Sequence, residues 1–212
     1  MVNKGYNKAC TDCEFAKDLL LGMMEMSDPY TVEHSKEVME IACSIGKIVN
    51  LDNNSISRLK YAALFHDIGK QAIPPTILSK PYKLCEEEFR LIQTHVTTAA
   101  TFLHKVKLDP LIIRYVTEHH ERLDGTGYPH GLKGQEISIE GQILGIADVI
   151  SAITSKRSYR MPLSIKGAIQ HLAENSPHKF SSELVDAAAI ALDLTPNAPP
   201  IPNSKTQSTK SV

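Results

Sequence analysis

Tryptophan is absent from this chain of 212 residues, and aromatic residues make up only 6% of it. A core of this composition must be aliphatic, and leucine, isoleucine and alanine supply it. Long apolar runs are also missing. A membrane-crossing helix needs about 18–20 consecutive apolar residues, so no membrane partner is expected. The N-terminus lacks the basic-then-apolar layout of a signal peptide. The four cysteines, Cys10, Cys13, Cys43 and Cys85, make no secreted disulfide framework. A reducing, cytoplasmic setting is therefore expected. Cys10 and Cys13 form a CxxC with no second pair and no downstream histidine at zinc-finger spacing. The pair reads as structural or incidental. Excess charge of either sign is missing too: 23 Lys and Arg stand against 24 Asp and Glu, a net charge of -1. This excludes long-range steering toward a nucleic acid polymer, so any anion site must be a local cluster.

Alternating strand patterns are lacking, and what remains is helical periodicity. Apolar residues recur at helical spacing over 14–26, 29–49, 56–65, 86–106, 111–120, 139–153, 163–173 and 183–192. Asp28-Pro29 and Asp109-Pro110 read as caps followed by a proline in the first turn. Glu86, Glu87 and Glu88 suit the positive end of the helix they open. Residues 121–138 hold glycines at 125, 127, 131 and 134, and a loop this long in a helical domain is more often functional than filler. The expectation is one all-α domain, a helical bundle over residues 13–194. Residues 1–12 form an N-terminal tail, and residues 195–212 form a flexible C-terminal tail rich in Pro, Asn, Ser and Thr.

His66 and Asp67 close an apolar run, and burying a carboxylate is costly unless it is paired or metal-bound. Further His or Asp residues stand at or beside the other predicted helices: His34, His95, His119, His120 and Asp148. Each step between them is about one helix plus a connector, so successive helices can present a ligand to one centre. Five imidazoles and two carboxylates exceed one tetrahedral site. They suit two octahedral ions such as Fe, Mn, Co or Ni, with Asp67 as bridge. Such a pair activates water for attack on phosphorus. His34 taken alone reads more readily as a core histidine. His104, His130, His171 and His178 lack this context and read as surface or structural residues. Lys70, three residues past Asp67, can reach back toward the centre. Lys156, Arg157 and Arg160 trail from the helix of Asp148, and arginine suits a two-point grip on phosphate.

His66-Asp67-Ile68-Gly69-Lys70 resembles the HDxGK signature of HD-domain phosphohydrolases. The stretch from His119 to Pro129, HHERLDGTGYP, resembles the HHExxDGxGYP signature of the HD-GYP subfamily. The likeness runs from about Asp28 to Val185. It implies an HD-type helical bundle with a glycine-rich GYP loop, acting as a phosphodiesterase on the bacterial second messenger cyclic di-GMP. It implies metal ligands at His34, His66, Asp67, His95, His119, His120 and Asp148, with two divalent ions, Fe or Mn. Asp67 and Lys70 are the expected catalytic residues. Lys70, Arg157, Arg160 and Tyr128 are the expected substrate contacts. The GYP loop is also implied as a surface for a protein partner, and an exposed apolar face as a route to a homodimer.

Two departures bear on the product. Members with three metals have glutamate four residues before the first ligand histidine and aspartate three residues after the last ligand aspartate. Here these are Tyr30 and Ser151. The resemblance then implies two metals and linear pGpG as the main product, made by a metal-activated hydroxide. The Arg-Pro-Tyr of the family is Arg157-Ser158-Tyr159 here, and Arg160 stands where many members have lysine. No receiver or sensor domain is expected ahead of Asp28, so regulation is expected through a partner, the tail or metal redox state. Three other readings stay open: another cyclic dinucleotide or nucleotide as substrate, an inactive binding or adaptor protein, and an oxygen-activating di-iron enzyme.

Overall fold

The computed structural model describes residues 18–26, 29–155 and 161–193, with the backbone alone at 29 and 30. Residues 18–26 are helical (α1). There follow α2 (Pro29–Ile48), α3 (Asn53–Phe65), a 3-10 turn (Ile68–Ala72), α4 (Pro75–Leu78) and α5 (Glu86–Lys105). After these come α6 (Pro110–Glu118), a second 3-10 turn (Gly134–Glu136), α7 (Ile139–Thr154), α8 (Ile165–Glu174) and α9 (Ser182–Ala191). The described residues contain no strand, and the β pairing among them is one antiparallel bridge between Asp124 and Lys133. The all-α expectation holds. None of the described helices is long and apolar enough to cross a membrane.

Polar caps set the helix starts. Asp52 accepts from the backbone N–H groups of Asn54 (2.7 Å) and Ser55 (3.0 Å), so α3 begins at Asn53 rather than at Ile56. Ser164 accepts from Gly167 N–H (3.1 Å) and starts α8 at Ile165, two residues later than the apolar pattern suggests. Asp109 caps α6 and also accepts from Arg58 of α3 (2.8 Å), so one carboxylate satisfies a helix end and ties two helices. The Asp28 cap lies outside the described residues.

Helix α2 packs on α3, α7 and α9, while α6 packs on α3, α5 and α7. Val38, Ala42 and Ile45 of α2 meet Leu59, Ala62 and Phe65 of α3 and Ile143, Leu144 and Ile146 of α7 in one aliphatic core. Each large side chain buried there contributes about 1.5–3 kcal/mol. That apolar base offsets the cost of the polar cluster at the bundle's centre.

Two glycines decide how closely the ligand-bearing elements approach. A Cβ on Gly69 would lie 1.9 Å from the His95 carbonyl oxygen, so the turn after Asp67 sits directly on α5. A Cβ on Gly145 would lie 2.4 Å from the His119 carbonyl oxygen, so α7 presses against the end of α6.

Candidate metal centre

The seven proposed ligands converge from five places in the fold. His34 comes from α2, His66 and Asp67 from the end of α3, and His95 from α5. His119 and His120 follow α6, and Asp148 lies in α7. His34, His66, Asp67, His95 and His119 are buried. Asp148 and His120 keep 13% and 18% of their side chains exposed, which marks the open side of the cluster.

Ligating atoms gather in three overlapping sets, each within 4.8 Å: His34, His66 and Asp148; His66, Asp67 and His119; and His95, His119 and His120. Asp67 faces both ends of the array. Its Oδ2 is 3.3 Å from His66 Nε2 and 3.8 Å from His34 Nε2, and its Oδ1 is 3.5 Å from His95 Nε2. Asp148 Oδ1 is 3.0 Å from His34 Nε2, and its Oδ2 is 4.0 Å from His120 Nδ1. This is a candidate site for two divalent ions.

Local helix geometry prepares three of the imidazoles. His66, His95 and His119 each donate Nδ1–H to the carbonyl three residues earlier: Ala63 (2.8 Å), Ile92 (2.7 Å) and Val116 (2.5 Å). A carbonyl can only accept, so the proton is fixed on Nδ1 and the lone pair on Nε2. Those three Nε2 atoms are buried and have no hydrogen-bond partner. Orphaned buried nitrogens are costly, and a cation at the centre is the partner their lone pairs fit.

Electrostatics agree with that reading. Burial, then the neighbouring imidazoles, push His119 well below the usual histidine value. Burial likewise pulls His95 down and takes His120 to about 3. These rings are neutral, as ligands must be. Burial opposes charge on Asp67, yet the Lys70 ammonium and then His66 hold its carboxyl well below the ordinary range. Asp148 is held down in the same sense, chiefly by the hydrogen bond and charge of His34 against burial. Lys70 Nζ lies 2.5 Å from Asp67 Oδ2, so it reaches back as the spacing suggested.

The glycine-rich loop is stapled beside the centre. The buried Glu121 carboxylate accepts from the backbone N–H groups of His130 (2.7 Å) and Leu132 (3.0 Å). Arg122 donates to the carbonyls of His119 (3.1 Å) and Glu121 (2.7 Å) and lies over the Phe180 ring, 4.9 Å from its centroid. The Tyr128 ring rests 4.7 Å from that of His120 at a tilt of 31°.

Sequence reasoning left Glu121 and Arg122 without roles. Their signal was available: a carboxylate and a guanidinium directly follow the ligand pair. Ser151 and Glu37 also join the site, and no periodic pattern pointed to Glu37. Lys156, Arg157, Arg160, Cys10 and Cys13 lie outside the described residues, as does the side chain of Tyr30.

Residues 18–184 match the HD domain family. The chain belongs to this family, within the HD-domain superfamily of metal-dependent phosphohydrolases. It is 35% identical over 175 residues to the 3'3'-cGAMP-specific phosphodiesterase 3 of Vibrio cholerae, which covers 82% of this chain and 38% of that protein. It is 35% identical over 179 residues to the cyclic di-GMP phosphodiesterase PA4108 of Pseudomonas aeruginosa, covering 84% of this chain and 43% of that protein. The chain thus spans about two fifths of the length of these curated relatives. Among solved structures, Bd1817, an HDG"Y"P protein from Bdellovibrio bacteriovorus, shares the fold with a TM-score of 0.67 at 17% identity, covering 84% of this chain and 63% of that one.

Proposed function

We propose that this chain is a cyclic-dinucleotide phosphodiesterase that holds two divalent ions, Fe or Mn, and opens cyclic di-GMP mainly to linear pGpG. The observation that carries the proposal is the convergence of five imidazoles and two carboxylates on one partly open centre, with three buried Nε2 atoms aimed into it unpaired. His34, His66 and Asp148 would hold one ion and His95, His119 and His120 the other, with one oxygen of Asp67 toward each. Ions held there supply Lewis acidity toward a phosphoryl oxygen and lower the pKa of a water molecule.

The chain's own residues do the rest. Lys70, tethered to Asp67, offers an ammonium beside the scissile phosphate. Arg157 and Arg160 grip the phosphates. Tyr128, stacked on His120, walls the cleft and orients a base by packing. Ser151 supports the two-ion reading, because its hydroxyl is engaged by His34 (2.8 Å) and Glu37 (2.6 Å).

One specific observation favours a second substrate. A relative at 35% identity acts, by its name, on 3'3'-cGAMP. The test incubates protein reconstituted anaerobically with Fe(II) or Mn(II) with each cyclic dinucleotide, and resolves products by chromatography with mass detection. Accumulating pGpG is expected. Turnover of cyclic GMP-AMP alone would move the substrate. No product from protein with both ions bound would favour a binding or adaptor role. Asp67→Ala is expected to abolish metal loading and turnover together, and full activity in that variant refutes the bridging role.

A further inference from the structure

His34 is oriented differently from its neighbours. His66, His95 and His119 lean on carbonyls of their own helices. His34 Nδ1 instead lies 2.8 Å from the hydroxyl of Ser151, on α7. A carbonyl fixes a tautomer because it can only accept. A hydroxyl can donate or accept, so a serine alone leaves the ring free to carry its proton on Nε2, where it would block a metal.

The ambiguity is removed one step further out. Ser151 Oγ donates to Glu37 Oε2 at 2.6 Å, and Ser155 Oγ donates to the same oxygen at 3.0 Å. Glu37 sits on α2 one turn beyond His34. An ionised carboxylate only accepts, so the Ser151 proton points at Glu37. The Ser151 oxygen then presents lone pairs to His34, and Nδ1 must carry the proton. Nε2 faces the centre, hydrogen-bonded to the Asp148 carboxylate oxygen Oδ1 at 3.0 Å, and a cation held between the two would take the Nε2 lone pair in place of that proton.

We propose that Glu37, acting through Ser151, is the positioning residue that holds the His34 ring by its Nδ1–H and fixes its orientation, and so completes the metal site His34 shares with His66 and Asp148. The inference rests on the two-ion reading above. Outer hydrogen bonds of this kind are worth about 10–100-fold in metal affinity.

The test uses the whole chain, with Mn(II) as the probe in calorimetric titrations and long-range imidazole NMR on the metal-free protein. Wild type is expected to bind two ions and to show an exchange-protected Nδ1–H signal for His34. Glu37→Ala is expected to weaken one binding step about 10–100-fold, leave the other unchanged and lose the protected Nδ1–H signal of His34. Glu37→Gln, whose amide oxygen still accepts the Ser151 proton, is expected to rescue the weakened step. Unchanged steps in Glu37→Ala overturn the inference while the two-ion reading stands. Equal weakening of both steps with no rescue also overturns it, since that is general damage. Absence of Mn(II) uptake by wild type removes the two-ion reading and the inference with it.

Discussion

Gly69→Ala adds one methyl group at the contact that sets the spacing of the centre. The new Cβ would meet the His95 carbonyl oxygen at 1.9 Å and Ala99 N at 2.8 Å. Ordinary contacts lie at about 3.5 Å, so the turn and α5 must part by more than about 1 Å. The obstruction is helix backbone, which cannot rotate away. Gly69 does not occupy the left-handed region, so the cost is steric alone. Replacing glycine with alanine restricts the unfolded chain and by itself stabilises by about 0.4–1 kcal/mol. Overpacking costs about 1–3 kcal/mol, with the upper end apt for backbone. The net expectation is a loss of about 2 kcal/mol in urea unfolding of the metal-free protein. Weaker Mn(II) binding should accompany it, because Asp67 and His95 lie on opposite sides of the widened seam. The control is Gly22→Ala, in α1, where the added Cβ meets no heavy atom within 4 Å beyond its chain neighbours and its own helix backbone among the described residues. That variant should gain about 0.5–1 kcal/mol from helix propensity. A neutral or stabilised Gly69→Ala protein would refute the close-approach argument.

Acidification should destabilise the metal-free protein. His95, His119 and His120 have folded values below the ordinary 6.5. Their contribution is therefore complete above that value and is lost as pH falls through it toward the folded values, about 3 for His120. His66 has the opposite sign: burial lowers it, but Asp67 and Asp148 raise it overall, so it adds stability on the acid side. Three groups outweigh one, and melting temperatures measured from pH 8 down to about pH 5 should decline below about pH 6.5. A flat profile would contradict this account. Glu121→Ala should release the loop at His130 and Leu132, costing about 1–3 kcal/mol. Faster amide exchange confined to that loop is the expected readout, and unchanged protection there would rule out the staple.

Much of the centre was legible because metal ligands are chemically scarce residue types set at helix-length intervals. The four helix-length steps from His34 to Asp148 could be read without knowing how the helices pack, since a buried His or Asp needs a partner and a shared cation would meet that need for all of them. The residues that support the ligands were less legible. Glu37 and Ser151 are ordinary polar residues on their own helices. They acquire meaning only when α2 and α7 lie side by side and bring a hydroxyl to His34 across 117 positions. Glu121 differs again: it stood in a recognised motif, but its bonds to His130 and Leu132 depend on how the loop folds back.

The order of the longer helices, the aliphatic core and the candidate ligand set follow from the sequence, because periodicity, capping and the chemistry of histidine and aspartate are local properties, whereas the one-turn α4 (Pro75–Leu78) is too short to show a period. The tertiary structure decided which oxygen of Asp67 faces which imidazole, which histidines draw orientation from their own helix, and that His34 draws its orientation from another. Those are matters of distance between segments far apart in the chain. Here that distance is set at Gly69 and Gly145, where a missing side chain lets one backbone rest on another.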